Sequence, residues 1–268
     1  MQTSSALSAR QLAAYAAFAQ SLADRVRPLS RKWFRHSLDV ETKPDDSPVT
    51  QADRQVEEAL REAIASHHPG HGIFGEEFGP SHGEAEFVWS LDPIDGTRAF
   101  ISGNPLWGTL LALLHRGRPV LGLIDIPMLD ERWIGLAGKA TRFNGEPCTA
   151  SACADLSGAI LYATSPDIFS VAELAAFDTL ATQTRMRRYG GDCYSYGLLA
   201  SGHVDLVVEA GLQPYDYLAL APVIEGAGGV MTDWAGQPLG LASKGRVIAA
   251  ATPALHRQAM QVLGAAMA

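Results

Sequence analysis

The stretch Val88-Trp89-Ser90-Leu91-Asp92-Pro93-Ile94-Asp95-Gly96-Thr97-Arg98-Ala99-Phe100 sets two carboxylates, three positions apart, between an apolar run and a Gly-Thr pair. Phe87 to Leu91 has the length and apolarity of a buried strand, which puts Asp92 at its carboxyl end, where open α/β sheets present their ligands. Pro93 lacks an amide hydrogen and has a fixed φ, so it is expected to stop the strand and turn the chain until Asp92 and Asp95 converge. Gly96 then permits close backbone approach, and Thr97 opens a helix whose first amides would face an anion. Asp-Pro and Asp-Gly are also ordinary turn dipeptides, so a plain turn is the competing reading.

Towards the N-terminus, Ser8 and Gln11 form a capping box ahead of Leu12, Tyr15, Ala19, Leu22, Val26, Leu29 and Trp33, which recur at helical steps. One long amphipathic helix is expected there, kinked at Pro28. Lys43 to Pro48 reads as a polar turn. Thr50 and Asp53 open a second helix with Val56, Leu60, Ile64 and His67 on its inward stripe, ended by Pro69-Gly70. Ile73 to Glu77 is a short strand end running into Gly75-Glu76-Glu77. Beyond the central stretch, Thr109 to Leu114, Val120 to Ile126 and Arg132 to Leu136 read as an antiparallel meander. Ile160 to Ala163 (strand) and Ser170 to Thr182 (helix) begin a second α/β unit. Gly190-Gly191 leads into a helix from Asp192 to Ser201, and His203 to Val208 is a strand carrying Glu209 at its end. Asp216 opens a helix ending at Gly226 or Gly228. Val247 to Ala251 is a strand, with a helix after Pro253.

The chain has 268 residues, 47% hydrophobic and 19% charged, with a net charge of -8, which suits a globular protein with a sizeable core. Apart from Arg185 to Arg188 the basic residues are scattered, so nucleic acid is not an expected partner. No apolar run approaches the ~20 residues of a membrane span, and no signal-peptide pattern is present, so a cytoplasmic location without membrane attachment is expected. Cys148, Cys153 and Cys193 lack ligand spacing and are expected to be buried free thiols. His67, His68 and His71 precede a glycine-rich turn and read as a surface loop rather than a metal site.

Asp53, Glu76, the Asp92/Asp95 pair and Asp216 thus lie at element boundaries. Converging carboxylates repel one another, and a divalent cation is the natural remedy. Oxygen-only ligands favour Mg²⁺ over zinc. Taken singly, Asp53 and Asp216 could be helix caps and Glu76 a solvated loop residue.

Jointly, Gly75-Glu76-Glu77, Asp92-Pro93-Ile94-Asp95-Gly96-Thr97 and Tyr215-Asp216 with Glu225-Gly226-Ala227-Gly228-Gly229 resemble the inositol monophosphatase superfamily of Mg²⁺-dependent, lithium-sensitive phosphatases. The resemblance runs from about Arg10 to the C-terminus. It implies an α+β fold, a layered αβαβα sandwich of the inositol monophosphatase/fructose-1,6-bisphosphatase type, assembled as a homodimer. Residues 1–150 would form an α+β half with most metal ligands, and 151–268 an α/β half with Asp216 and the substrate-selecting residues, the two making one catalytic unit.

By the same resemblance Glu76, Asp92 and the Ile94 carbonyl would hold one metal and Asp92, Asp95 and Asp216 a second, with two or three Mg²⁺ per site. Thr97 would pair with Asp53 to orient and deprotonate the attacking water, Glu76 would share in catalysis, and the Gly96 and Thr97 amides would bind phosphate. Lys43 matches a family lysine near the metal-bearing loop. The following Asp-x-x-Thr-x-x-Asp pattern is one residue longer here, from Asp46 to Asp53, which leaves the place of Asp46 open.

The stretches Gly191-Asp192-Cys193-Tyr194, Glu209 to Asp216 and Phe100-Ile101-Ser102-Gly103 resemble the histidinol-phosphatase branch. That branch hydrolyses L-histidinol phosphate in histidine biosynthesis. Asp192, with Glu209 and Gly191, would then receive the substrate's ammonium, since two acids suit a cation better than a neutral polyol. Asp192 could equally cap the helix it precedes. Alternatives are an inositol-1-phosphate or broad sugar monophosphatase, a 3'(2'),5'-bisphosphate nucleotidase, or an inactive metal-binding scaffold. In each enzymatic case the partner is a small phosphorylated metabolite.

Overall fold

The computed structural model describes residues 7–37, 40–42 and 48–267. Helix starts follow their caps. Ser8 Oγ accepts from the Gln11 amide and Gln11 Oε1 from the Ser8 amide, opening α1 (Ala9–Trp33), which is helical on both sides of Pro28. A ribbon of β1 (Val40–Thr42) and β2 (Pro48–Thr50) leads to α2 (Gln51–His67), where Thr50 and Asp53 make the same reciprocal cap. Then come β3 (Gly72–Gly75), β4 (Gly79–Ser81), β5 (Phe87–Asp95), the short α3 (Thr97–Ser102), β6 (Gly108–His115), β7 (Arg118–Ile126), β8 (Glu131–Leu136), β9 (Arg142–Phe143) and β10 (Glu146–Pro147). They build an eight-stranded sheet in the order β10-β9-β8-β7-β6-β5-β3-β4, antiparallel except where β3 runs alongside β5.

The second sheet draws on β11 (Ile160–Ala163), followed by α4 (Val171–Ala181), β12 (Met186–Tyr189), α5 (Asp192–Ala200), β13 (Leu206–Glu209), α6 (Pro214–Tyr217), α7 (Leu220–Gly226), β14 (Val230–Thr232), β15 (Val247–Ala250) and α8 (Pro253–Met267). Its order is β12-β11-β13-β15-β14. Strand alternation sorts the core into layers. Trp89, Leu91, Leu111, Leu113, Leu121 and Leu123 pack under α1 and α2. Their neighbours Val88, Leu110, Ala112, Leu114, Ile124 and Ile126 face the opposite way, onto α5, α7 and one side of the second sheet. Leu161, Leu206, Val208, Ile248 and Ala250 line that sheet's other side, against α4 and α8. Helix, sheet, helix, sheet, helix is the layered αβαβα sandwich. Among the described residues no helix is long and apolar enough to cross a membrane.

Four sequence-based expectations need correction. β5 does not stop at Pro93 but runs on to Asp95 through an irregular step. Asp216 does not open a helix; it sits third in α6, and a separate α7 carries the chain to Gly226. The histidines are not a plain surface loop: His68 stacks on His71 (ring centroids 4.5 Å) and His71 on Phe87 (4.9 Å), with Tyr15 and Phe18 of α1 beside them. Trp89 Nε1 donates to His71 Nδ1 at 3.1 Å, so the imidazoles wedge α1, α2 and β5 together. Of the three thiols only that of Cys193 is buried; Cys148 and Cys153 are half-buried.

Candidate active site

In a regular strand Asp92 and Asp95 would point to opposite faces of the sheet. Here β5 advances from Asp92, opposite Leu110, to Asp95, opposite Gly108, so three residues on β5 span two on β6. The extra residue returns both acids to one face, and Pro93, with no amide hydrogen to offer the ladder, is suited to such a bulge. The Thr109 hydroxyl holds the Pro93 carbonyl at 2.9 Å. Asp216 arrives from α6, where the Gln213 amide donates to its Oδ2 at 2.7 Å. One oxygen from each of Asp92, Asp95 and Asp216 lies within 4.8 Å of the others.

Glu76 begins the turn between β3 and β4. Its amide donates to the Leu91 carbonyl at 3.2 Å, and its carboxylate charge bears on Asp92. Asp53, fully buried on α2, gives Oδ2 to the Thr50 amide and hydroxyl at 2.8 and 2.5 Å, while its Oδ1 has no partner.

The electrostatics follow from burial and like charge. Burial first, then the charges of Glu76, Asp95 and Asp216, push Asp92 well above the usual carboxylate range. Asp216 is raised likewise by burial and by Asp95, against the Gln213 amide bond. Burial lifts Asp95 to about 6 although the Cys193 amide donates to it at 2.7 Å. Burial also lifts Asp53 to about 6, opposed by its Thr50 bonds. Among the described residues Asp92, Asp95 and Asp216 form no ion pair, and Asp92 Oδ1 is buried without a hydrogen bond. Hard oxygen donors crowded together, with an orphaned carboxylate oxygen among them, fit a divalent cation such as Mg²⁺.

The raised values give a testable sign. A carboxylate whose folded pKa lies above its unfolded value contributes stability that is complete below the unfolded pKa and lost as pH rises through the folded one. Metal-free protein should therefore melt at a higher temperature at pH 5.5 than at pH 7.5, and added Mg²⁺ should raise the midpoint more at pH 7.5. Thermal melts at both pH values, with and without Mg²⁺, check this. An Mg²⁺ shift that shrinks as pH rises would count against a metal in the acid cluster.

The Thr97–Asp53 pair expected from sequence is not hydrogen-bonded. Thr97, first in α3, turns its hydroxyl back to the Ile94 carbonyl at 3.1 Å, while Asp53 is drawn into its own helix cap. Gly96 adopts φ 82°, left-handed, and a Cβ there would lie 3.0 Å from the Asp192 carboxyl carbon. Asp192 therefore rests directly against the Gly96 backbone. It does not cap α5: the cap position belongs to Gly191 at φ 103°, and Asp192 itself is held at φ 43°. Its carboxylate makes no hydrogen bond among the described residues. Burial, then Asp95 and Glu209, raise it to about 8, with Arg98 opposing.

Glu209 ends β13 and is 3% exposed. The Thr164 amide (2.8 Å), the Thr164 hydroxyl and the Tyr196 hydroxyl (2.9 Å) all donate to it, so its oxygens are largely committed to the protein. Thr164 and Tyr196 carried no sequence signal for this role. Lys43 and Asp46 lie outside the described residues.

Residues 11–268 match the model of the inositol monophosphatase family. The chain belongs to that family. A bifunctional phosphatase of Arabidopsis thaliana, IMPL2, chloroplastic, is 48% identical over 98% of this chain and 78% of its own length. The histidinol-phosphatase of Chlorobaculum parvum is 36% identical, covering 92% of this chain and 95% of its own. The solved structure of an inositol monophosphatase from Zymomonas mobilis superposes with a TM-score of 0.88 at 45% identity, over 96% of this chain and 100% of that one. The protein is thus a phosphatase of the inositol monophosphatase family, whose enzymes are metal-dependent and act on small phosphorylated substrates.

Proposed function

We propose that this family member is an Mg²⁺-dependent phosphomonoesterase that hydrolyses L-histidinol phosphate to L-histidinol and phosphate in histidine biosynthesis. Asp192 is the observation that carries the choice of substrate. It is a mostly buried carboxylate without a hydrogen-bond partner, held at a positive φ beside the acid cluster, and it caps no helix. Strained residues of this kind persist where function requires them. A protonated amine would favour its charged form and supply the missing donor.

Glu76, Asp92, the Ile94 carbonyl, Asp95 and Asp216 would hold the metal. When bound, Mg²⁺ neutralises phosphate charge and polarises the phosphoryl group as a Lewis acid. The buried, unpartnered Oδ1 of Asp53 is the acceptor for the attacking water's proton. Its raised pKa, about 6, sets it near the operating pH, as a general base requires. Thr97 would orient that water once its hydroxyl leaves Ile94. The amides of Gly96 and Thr97, at the cap and first position of α3, would face developing phosphoryl charge. Glu209, positioned by Thr164 and Tyr196, completes the acidic wall around the ammonium, with Gly191 setting the start of α5. We extend the proposal to a cytoplasmic homodimer whose two halves, 1–150 and 151–268, act as one catalytic unit.

Inositol 1-phosphate is the second reading, favoured by the 45% identity to the Zymomonas mobilis inositol monophosphatase. Comparing kcat/KM on the two substrates, with adenosine 3',5'-bisphosphate as a third, decides between them. Asp192→Asn sharpens the comparison. Losing one charge-assisted hydrogen bond costs about 1.5 to 3 kcal/mol, so kcat/KM on histidinol phosphate should fall roughly 10- to 100-fold. Inositol 1-phosphate hydrolysis should change far less. Equal losses on both would place Asp192 at the phosphoryl centre and end the ammonium reading.

A further inference from the structure

Asp53 shares its face of α2 with Glu57 and Arg61, at successive four-residue steps, and the three meet different fates. Asp53 keeps an unpartnered oxygen, whereas Glu57, fully buried, is saturated. Arg61 Nε donates to Glu57 Oε1 at 2.7 Å, the Glu77 amide donates to Oε2 at 2.7 Å, and the Phe78 amide donates to Oε1 at 3.3 Å. The guanidinium also reaches the Gly79 carbonyl and, at 3.5 Å, the Ser81 hydroxyl. Glu57 and Arg61 thus grip both sides of the turn that joins β3 to β4.

Glu76 is the first residue of that turn. Its own amide is tied to Leu91, one residue before Asp92, so the consecutive amides of residues 76, 77 and 78 are all anchored, the first to β5 and the next two to Glu57. The fit is close: a Cβ on Gly75 would lie 2.0 Å from Glu57 Oε1, so a larger residue before Glu76 would displace the Glu57 carboxylate from the turn. A carboxylate placed among four converging acids needs its direction fixed, because mutual repulsion would otherwise swing it towards solvent. Arg61 neutralises Glu57, so the anchor adds no further repulsion to the cluster.

We propose that Glu57, charge-balanced by Arg61, is a positioning residue that fixes the turn bearing Glu76 and so sets the enzyme's metal affinity, without touching metal or substrate. The inference rests on the reading of Glu76 as a metal ligand. Ligands oriented by a hydrogen-bonded outer partner typically lose roughly 10- to 100-fold in metal affinity when that partner is changed. Glu57→Gln keeps the volume but brings an amide donor against groups that are themselves donors, so it should show a loss in that range.

Calorimetric titration of the metal-free protein with Mg²⁺ and with Mn²⁺, well below the melting range, provides the test. The variants are Glu57→Gln, Arg61→Met, Glu76→Gln and, as a control of helix packing, Leu60→Ala. Glu57→Gln and Arg61→Met should weaken binding roughly tenfold or more, while kcat at saturating Mg²⁺ falls by less than the affinity does. Leu60→Ala, which empties a fully buried site on the same helix, should lower the melting temperature and leave metal affinity near that of the parent. If Glu76→Gln weakens binding and Glu57→Gln does not, the positioning role is wrong while the ligand reading stands. If Glu76→Gln also binds normally, the ligand reading itself fails. A loss in Leu60→Ala as large as in Glu57→Gln would reduce Glu57 to a stabiliser of α2 and overturn the proposal.

Discussion

Asp95→Asn is expected to cut turnover at saturating Mg²⁺ by roughly 10³-fold while raising the thermal midpoint of the metal-free protein. The two effects have one origin. Asp95 is half-buried beside Asp92 and Asp216, and its folded pKa of about 6 means that ionisation at neutral pH costs stability. Asn removes that charge, can still accept the Cys193 amide bond through its carbonyl oxygen, and turns its own N–H donors towards the neighbouring acids. Catalysis loses what folding gains, because a weaker, neutral ligand leaves transition-state charge less stabilised by several kcal/mol, and about 4 kcal/mol corresponds to the stated loss. Steady-state kinetics across an Mg²⁺ series and melts of metal-free protein at pH 7.5 measure both. Wild-type kcat at high Mg²⁺ would remove Asp95 from the metal site. A lowered midpoint would show that the carboxylate's bond to α5 outweighs the repulsion it carries.

Much of this site could be read from sequence because local rules and the tertiary fold agree. Ser8 with Gln11 and Thr50 with Asp53 each announce a helix start, and each pair forms its reciprocal cap. The apolar run at Phe87 forms a buried strand for the reason given by its composition. What escaped depends on pairing between distant segments. Pro93 reads as a strand stop because proline removes a ladder donor, yet β6 supplies a partner whose register absorbs one extra residue, and that bulge aims Asp92 and Asp95 together.

Glu57 and Arg61 read as ordinary in the sequence, because an i,i+4 Glu–Arg pair on a helix is usually a solvated surface feature. A signal was available: Glu57 falls on the same arc of α2 as Leu60 and Ile64, so its charge had to meet the interior. Glu209 could be placed at a strand end, but the hydroxyls that hold it come from Thr164 and Tyr196, on elements that only the folded second sheet brings near. The capping alternative for Asp192 could not be decided from sequence, since the φ of 103° that makes Gly191 the cap is a backbone property with no separate residue code.

Gly122→Ala is expected to add the most destabilising single methyl group in the first sheet, and it should reach the metal site through the backbone. Gly122 of β7 lies opposite Gly135 of β8 in the register, and together they form a flat patch on the first sheet. The start of α7 rests on it: a Cβ at 122 would lie 1.9 Å from the Ala219 carbonyl oxygen, and one at 135 would lie 2.2 Å from that of Pro222. These obstacles are backbone atoms, so no rotamer change can yield. α7 must lift, loosening Leu220, Val223 and Ile224 from the core. Overpacking of this kind costs about 3 kcal/mol or more, a fall of roughly 6–12 °C in melting temperature for a chain of this size. Only Leu218 and Ala219 separate α6 from α7, so lifting α7 also draws Asp216 away from Asp92 and Asp95. Mg²⁺ affinity should weaken in the same variant. Gly70→Ala, where a Cβ would meet nothing within 4 Å, should change neither property and serves as the reference. Should Gly122→Ala melt within a degree or two of the parent, α7 would not need this glycine floor. If it melts low but binds Mg²⁺ normally, Asp216 must be held by its own cap on Gln213 rather than by the seat of α7.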